Sequence, residues 1–504
     1  MDNKQLLSLI DVDVKLNGQY ILQQINFNIH EGQHWALVGS SGAGKSAFLN
    51  TIIGKLAISH GAIQHHYAHE YLTLNRLDGM SHSHQDLLAL TTPRHQFKNK
   101  AHVQGFYYQQ RFNSMDADDA DTVYDYLTRV KSALAGYWTV NSVTEALGLE
   151  YLLDKSIIKL SNGETRRLTI ALALLRNPKL LLMDQPLIGL DAATRANFDR
   201  IIERIIASGV HIIICTSPTE IPKAITHIAV LEKGKMLKQG PKETILKELD
   251  TLTVQDPFLG NRDLLREELA HYSFQKFNQI VYMKDVSVKY DDRQILDHIN
   301  WEILQGERWV LQGHNGAGKS TLLSLINGDN PQAYANHIIL FDRKRGSGES
   351  IWDIKKKIGF VSPELHQYFP ADQTCLQVII SGFYDTDGLF RKASKQQEEE
   401  ALRWLNIFGI QSLEKKRLRT VSTSEQRLCL LARALVKKPP VLILDEPCQG
   451  LSTEQRDYFK MIIDEICKHT AATIIYVSHY VEDIPETVDR LLKLKNGKII
   501  TKKP

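Results

Sequence analysis

The sequence predicts an α/β fold built twice within one chain of 504 residues, each copy a mostly parallel sheet flanked by helices. Three observations carry that prediction. The pattern G-x-x-x-x-G-K-S occurs as Gly39-Ser40-Ser41-Gly42-Ala43-Gly44-Lys45-Ser46 and as Gly313-His314-Asn315-Gly316-Ala317-Gly318-Lys319-Ser320, 274 residues apart. Each copy lies between a short apolar run and a helix-compatible one, the strand, loop and helix order that gives such a pattern its meaning. Downstream of each, an apolar run ends in aspartate, at Asp184 and Asp445.

Glycine at these loop positions is a steric demand, because a Cβ would hold a phosphate away from the backbone N–H groups. Gly39, Ser40, Gly42, Ala43 and Gly44, and likewise Gly313, Asn315, Gly316, Ala317 and Gly318, are therefore candidate phosphate-cradling positions. The helix that each loop opens adds its positive dipole end. Lys45 and Lys319 are placed to reach the β- and γ-phosphates, Ser46 and Ser320 to put a hydroxyl on Mg²⁺, and Thr321 follows in the same turn.

Taken in order, residues 6–14 and 25–29 alternate and are rich in Leu, Ile and Val, so both read as strands, with a turn at Gly18 between them. Trp35-Ala36-Leu37-Val38 is a short buried strand entering the first loop, and residues 47–53 form a helix stopped by Gly54. Eight of the nineteen histidines follow within residues 60–102: His60, His65, His66, His69, His82, His84, His95 and His102. Two readings stay open there, metal chelation by pairs such as His65 with His69 or His82 with His84, and a solvated segment rich in histidine. Residues 105–109 read as a strand leading to Gln109, a glutamine able to contact Mg²⁺ or the attacking water. Leu160-Ser161-Asn162-Gly163-Glu164 opens a long helix that Asn177-Pro178 ends. The strand over 180–183 carries Asp184, where a Mg²⁺ water shell needs charge, followed by Gln185-Pro186. Another apolar strand runs from Val210 to Cys215 and ends at Thr216-Ser217-Pro218.

A charged linker is expected over roughly 241–279, between a first domain at 5–240 and a second at 280–504. The order then repeats. Val14-Lys15-Leu16 aligns with Val288-Lys289-Tyr290, and Gly54 with Gly328, at the offset of the two loops. Later the offset falls to 261, pairing Leu160 with Val421, Asp184 with Asp445, Gln185 with Glu446 and Pro218 with His479. The first half thus holds 13 more residues between its loop and its long helix.

Composition narrows the classes of function. A formal net charge of +3 offers no bulk attraction to a polyanion, so no nucleic-acid partner is predicted. Five scattered cysteines without C-x-x-C spacing read as reduced thiols. The polar start Met1-Asp2-Asn3-Lys4-Gln5 is unlike a signal peptide, and no run of about 18 apolar residues occurs. The expectation is a cytoplasmic protein that works at a membrane, if it does, on the inner face and through other subunits.

On these residues each half resembles the nucleotide-binding domain of ATP-binding cassette (ABC) proteins: phosphate loop, Q-loop, signature, Asp-Glu strand end and switch histidine, in that order. More narrowly, residues 346–362 resemble the ModF, or photorepair-type, family of molybdate-transport ATP-binding proteins. The resemblance implies two P-loop NTPase domains, each with a mixed or parallel core sheet, an antiparallel β subdomain and a helical subdomain. It also implies ATP and Mg²⁺ as ligands and head-to-tail pairing, in which the loop of one half meets the signature of the other.

Under that pairing the loop 313–320 works with Asp445 on the metal, Glu446 as general base, His479 on the γ-phosphate, Tyr290 stacking on adenine, and Ser161, Gly163 and Glu164 from the first half's signature. The other site holds Lys45, Ser46, Gln109 and Asp184, but Gln185 stands for the base, Pro218 for the histidine and Leu16 for the aromatic. Its signature, Val421-Ser422-Thr423-Ser424-Glu425, keeps Ser422 and lacks both glycines. The implied pair is one hydrolytic site and one degenerate site. A single departure weakens the competent one, since its Q-loop position aligns with Pro363, followed by Glu364. Two functional classes follow: the motor of an importer on separate membrane subunits, with molybdate or another small solute as cargo, or a soluble ATPase acting on ribosomes or DNA or as a nucleotide-gated stress module.

Overall fold

A computed structural model describes residues 4–503 apart from 17, 41, 79–81, 93–120, 158–159, 161, 188–194, 196, 250–260, 291–292, 371 and 452. The described residues up to 249 belong to one compact unit and those from 261 to another. Within each unit the chain builds two sheets.

In the first unit β1 (Gln5–Leu16), β2 (Gln19–His30) and β4 (His60–Gln64) form an antiparallel sheet in the order β2-β1-β4. The core sheet runs β5-β6-β7-β3-β8-β9, from β3 (Trp35–Val38), β5 (Leu88–Thr91), β6 (Leu180–Asp184), β7 (His211–Cys215), β8 (His227–Glu232) and β9 (Lys235–Pro241). All its pairings are parallel except β8 with β9. The runs Trp-Ala-Leu-Val and Leu-Leu-Leu-Met-Asp are buried at every position, as strands covered on both faces must be. Phe27 packs edge-on against Trp35 and Phe48, at 4.7 and 5.2 Å between ring centres, and so ties the antiparallel sheet to β3 and to helix α1 (Lys45–Ile52).

The second unit repeats the plan. Its core sheet is β15-β16-β17-β12-β18-β19, from β12 (Arg308–Gln312), β15 (Ile358–Val361), β16 (Val441–Asp445), β17 (Thr473–Val477), β18 (Arg490–Lys495) and β19 (Lys498–Lys503). An antiparallel sheet of β11 (Arg293–Ile303), β10 (Val281–Tyr290), β13 (His337–Leu340) and β14 (Arg343–Lys344) lies beside it, with Trp301 against Trp309 at 5.7 Å. The helices Cys375–Ser381, Lys395–Ile407 and Thr423–Leu435 pack, around Trp404 and Phe408, in one cluster with core-sheet residues such as Leu442, Leu444 and Tyr476.

The segment expected as a linker contains packed structure. β9 extends to Pro241, and the helix Arg262–Ala270 buries Leu265 and Leu269 in the helical core of the second unit. Arg262 and Arg266 both pair with the buried Glu465.

Four of the six described histidines of the 60–102 stretch are engaged in packing, whereas His60 and His69 are exposed. His65 stacks on His84 at 4.1 Å and meets the Tyr67 hydroxyl at 3.0 Å, His66 lies 3.1 Å from Ser8 Oγ, and His82 lies 3.0 Å from Tyr71 Oη. Among the described residues no group of three or more His, Cys, Asp or Glu side chains is placed to hold a metal ion; His95 and His102 lie outside them. All five cysteines are free and buried. Among the described residues no helix is long and apolar enough to cross a membrane.

Candidate nucleotide site

Each phosphate loop connects the central strand of its core sheet to a helix: β3 to α1, and β12 to the helix Lys319–Asn327. The glycines answer to space and to backbone angle. A Cβ on Gly39 would lie 2.0 Å from the Leu231 carbonyl oxygen, and Gly318 takes φ 103° as the cap of its helix. The lysines arch back over their loops: Lys45 Nζ donates to the Gly39 and Ser40 carbonyls at 2.6 and 2.7 Å, Lys319 Nζ to those of Gly313 and His314 at 2.7 and 3.3 Å. Ala43 and Ala317 are buried under the turns, Gly42 and Gly316 are exposed at their crests, and Asn315, Ser320 and Thr321 are half-buried. The arrangement leaves a cradle of amides with a cation poised over it.

Asp184 and Asp445 end the strands β6 and β16 next to these loops, both buried. Asp184 is hydrogen-bonded to the Ser46 hydroxyl, and burial pushes its carboxyl above the usual range against the pull of that bond, Arg166 and Lys45. One residue on, Gln185 and Glu446 share an unusual backbone, φ 45° in both. Their N–H groups donate to the Cys215 and Val477 carbonyls, each at 3.0 Å.

At the second site this kink delivers a carboxylate into a cluster. His479 Nε2 lies 2.9 Å from Glu446 Oε1 and 3.4 Å from Lys319 Nζ. Gln449 Nε2 donates to Glu446 Oε2 at 2.6 Å. Burial alone would raise the Glu446 pKa, but the His479 contact with the charges of Lys319 and Arg427 outweighs it, so the carboxyl is held below its ordinary value and stays ionised. At the first site Gln185 carries no charge, and Pro218 begins a short turn with no side-chain donor.

The other expected residues fall as follows. Gly163 and Glu164 are buried in the first turn of the helix Asn162–Leu174, with Glu164 bound to Lys155 at 2.7 Å. Ser422 caps the helix Thr423–Leu435, exchanging hydrogen bonds with Glu425, so its hydroxyl already serves the backbone. Tyr290 ends β10, and its hydroxyl accepts from Asn330 Nδ2 at 2.9 Å. Ser161 and Gln109 lie outside the described residues.

Among the described residues the strand beside β6 in the first core sheet is β5, whose Thr91 pairs with Met183 as Val361 pairs with Leu444 in the second unit. In sequence, Thr92-Pro93 follows β5 as Ser362-Pro363 follows β15. The proline after the edge strand is thus common to both halves, and Pro363 is no peculiarity of the second.

Sequence reading missed three residues. Arg166, on the signature helix, donates to the carbonyls of Asp184 and Gln185, both at 2.8 Å, and to those of Pro186 and Thr92, while burial pulls its pKa down to about 10. Arg427 does the same for the Glu446 and Pro447 carbonyls at 3.3 and 2.9 Å. They are separated by the same 261 residues as Asp184 and Asp445, and that offset was the available signal. The third is Gln449.

A glycine loop capped by a lysine beside a buried strand-end aspartate defines a P-loop nucleoside triphosphatase and is present twice, while the ionised carboxylate with a histidine is found in the second half. The ABC transporter family model matches residues 22–188 and 296–449. The chain is 32% identical over 497 residues, 97% of its length and 96% of the relative's, to the ABC transporter ATP-binding protein ModF of Escherichia coli (strain K12). It is 30% identical over 490 residues, 95% of its length and 96% of the relative's, to an uncharacterized ABC transporter ATP-binding protein of Schizosaccharomyces pombe. Among solved structures, the RNase-L Inhibitor shares its fold with a TM-score of 0.52 at 20% identity, covering 97% of this chain and 88% of that one. The chain belongs to the ABC transporter family, with two ATP-binding domains in tandem, and is an ABC-type ATPase.

Proposed function

We propose that this ATPase hydrolyses ATP at the Glu446 site, uses its first half chiefly to hold nucleotide, and drives a small-solute importer from the cytoplasmic face by docking on separate membrane subunits. The cluster of Lys319, His479 and Glu446, against Gln185 and Pro218 in the first half, is the observation that carries the hydrolytic assignment; the importer role rests on the family resemblance. Glu446 takes a proton from the attacking water, Lys319 and His479 face the γ-phosphate, and Tyr290 stacks on adenine. Ser46 with Asp184, in contact, and Ser320 with Asp445 are oxygen donors of the kind that suits Mg²⁺. When bound, that ion neutralises charge on the β- and γ-phosphates. Molybdate or a similar oxyanion is the cargo that the narrower resemblance implies.

Purification from native membranes tests the assignment. Integral membrane subunits that copurify, with an ATPase that responds to an oxyanion presented through them, support the importer. Copurifying ribosomes move the chain to the soluble branch, and a protein that emerges alone and indifferent to solutes makes it a nucleotide-gated module.

A further inference from the structure

We propose that Gln449 is a positioning residue that fixes the reacting carboxylate of Glu446, an inference resting on the reading of Glu446 as the base. The terminal torsion of a glutamate is soft, so a carboxylate held at one oxygen can swing. Here each oxygen has its own donor: Oε1 faces His479 Nε2 at 2.9 Å, and Oε2 accepts from Gln449 Nε2 at 2.6 Å. An ionised carboxylate is acceptor-only, which sets the amide with its NH₂ toward Oε2. About four lone-pair positions exist on the two oxygens, so both clamps leave room for a water.

The backbone brings Gln449 to that place. Glu446-Pro447-Cys448-Gln449 is a turn closed by the Gln449 N–H on the Glu446 carbonyl at 3.2 Å, with proline in the position it favours. Cys448 anchors the turn, its buried Sγ lying 3.2 Å from the Tyr476 hydroxyl, which in turn donates to the Asp483 carbonyl at 2.8 Å. The first half supplies an internal control in its sequence: at the offset of 261, Gln449 corresponds to Ile188, in the half where the base itself is Gln185. The amide occurs where there is a carboxylate to hold and is missing where there is none.

The test uses the full chain with Gln449→Met, which keeps length and removes the donor. Turnover is expected to fall about tenfold, the equivalent of one lost orienting hydrogen bond, while KM for ATP and ATP affinity by equilibrium binding stay within about twofold. In a Glu446→Gln background, single-turnover hydrolysis should be insensitive to Gln449→Met, because the group acted upon is gone. Unchanged turnover in Gln449→Met, a fall in affinity matching the fall in turnover, or an equal loss in both backgrounds overturns the proposal and leaves the role of Glu446 standing. Wild-type hydrolysis by Glu446→Gln alone removes the base, and this inference with it.

Discussion

Glu446→Gln separates charge from shape at the second site. The backbone there has φ 45°, and the first half already accommodates glutamine in the same conformation at Gln185, so the substitution leaves the fold intact. The side chain, however, turns from a two-oxygen acceptor into one carbonyl and one NH₂. One of its two clamps, from His479 or Gln449, then faces a donor with a donor. More important, the proton acceptor is lost. General-base assistance is worth roughly 10²- to 10⁴-fold, about 3 to 5 kcal/mol of barrier. Steady-state phosphate release should fall by at least about 100-fold, while ATP binding measured with a fluorescent analogue changes little and nucleotide is retained longer. A variant keeping more than about a tenth of wild-type turnover would refute the assignment of the base.

Lys319→Ala should abolish turnover, whereas Lys45→Ala should weaken nucleotide retention with a smaller loss of turnover; equal losses in a side-by-side kcat comparison would sink the asymmetry. His34 and His65 are each held down to about 4 from 6.5, by burial first and then by neighbouring histidines. Because the unfolded chain takes up protons that the folded one refuses, the stability from these neutral rings is complete above about pH 6.5 and is lost as pH falls toward 4. Thermal unfolding should show the midpoint falling as pH drops across that window and His65→Gln reducing the fall; a midpoint indifferent to pH there would exclude the effect. Arg166→Met strips donors from four buried or half-buried carbonyls, at about 1 to 3 kcal/mol for each group left unsatisfied. It should lower the midpoint of the first half by several degrees in calorimetry, and an unchanged midpoint would show the contacts to be dispensable.

Much of this was legible from the chain alone, for identifiable reasons. The strands β3, β6 and β7 are built on apolar runs, with Asp184 ending β6 and His211 opening β7, and the loops carry a pattern that phosphate binding demands. β5 was not legible. Leu88-Ala89-Leu90-Thr91 is four residues long and has no period of its own, and only its parallel register with β6 shows that it forms the sheet edge. The helix Arg262–Ala270 reads as a charged linker because three leucines on a polar helix give little signal; its place is set by Glu465 and the helical core it meets. Arg166, Arg427 and Gln449 act on carbonyls and a carboxylate brought near by the turn after the strand, and no local pattern encodes that.

The shared kink bears on what the first half still does. A non-glycine residue at positive φ costs of order 1 kcal/mol or more, and such strain persists where surrounding structure imposes it. If the kink served only to aim a base, the first half, with Gln185 in place of a carboxylate, would have no reason to keep φ 45°. It is kept, and the group holding it is Arg166, whose guanidinium binds the carbonyls on either side of the kink, as Arg427 binds the carbonyls of Glu446 and Pro447. In both halves the arginine stands on the signature helix, so the strand end at the nucleotide and the helix that begins at the signature are tied within one domain by a buried cation. The kink therefore belongs to the mechanical link between nucleotide and helix, and the base is an addition to it. On the proposed reading, a half that has the link and lacks the base responds to ATP without consuming it.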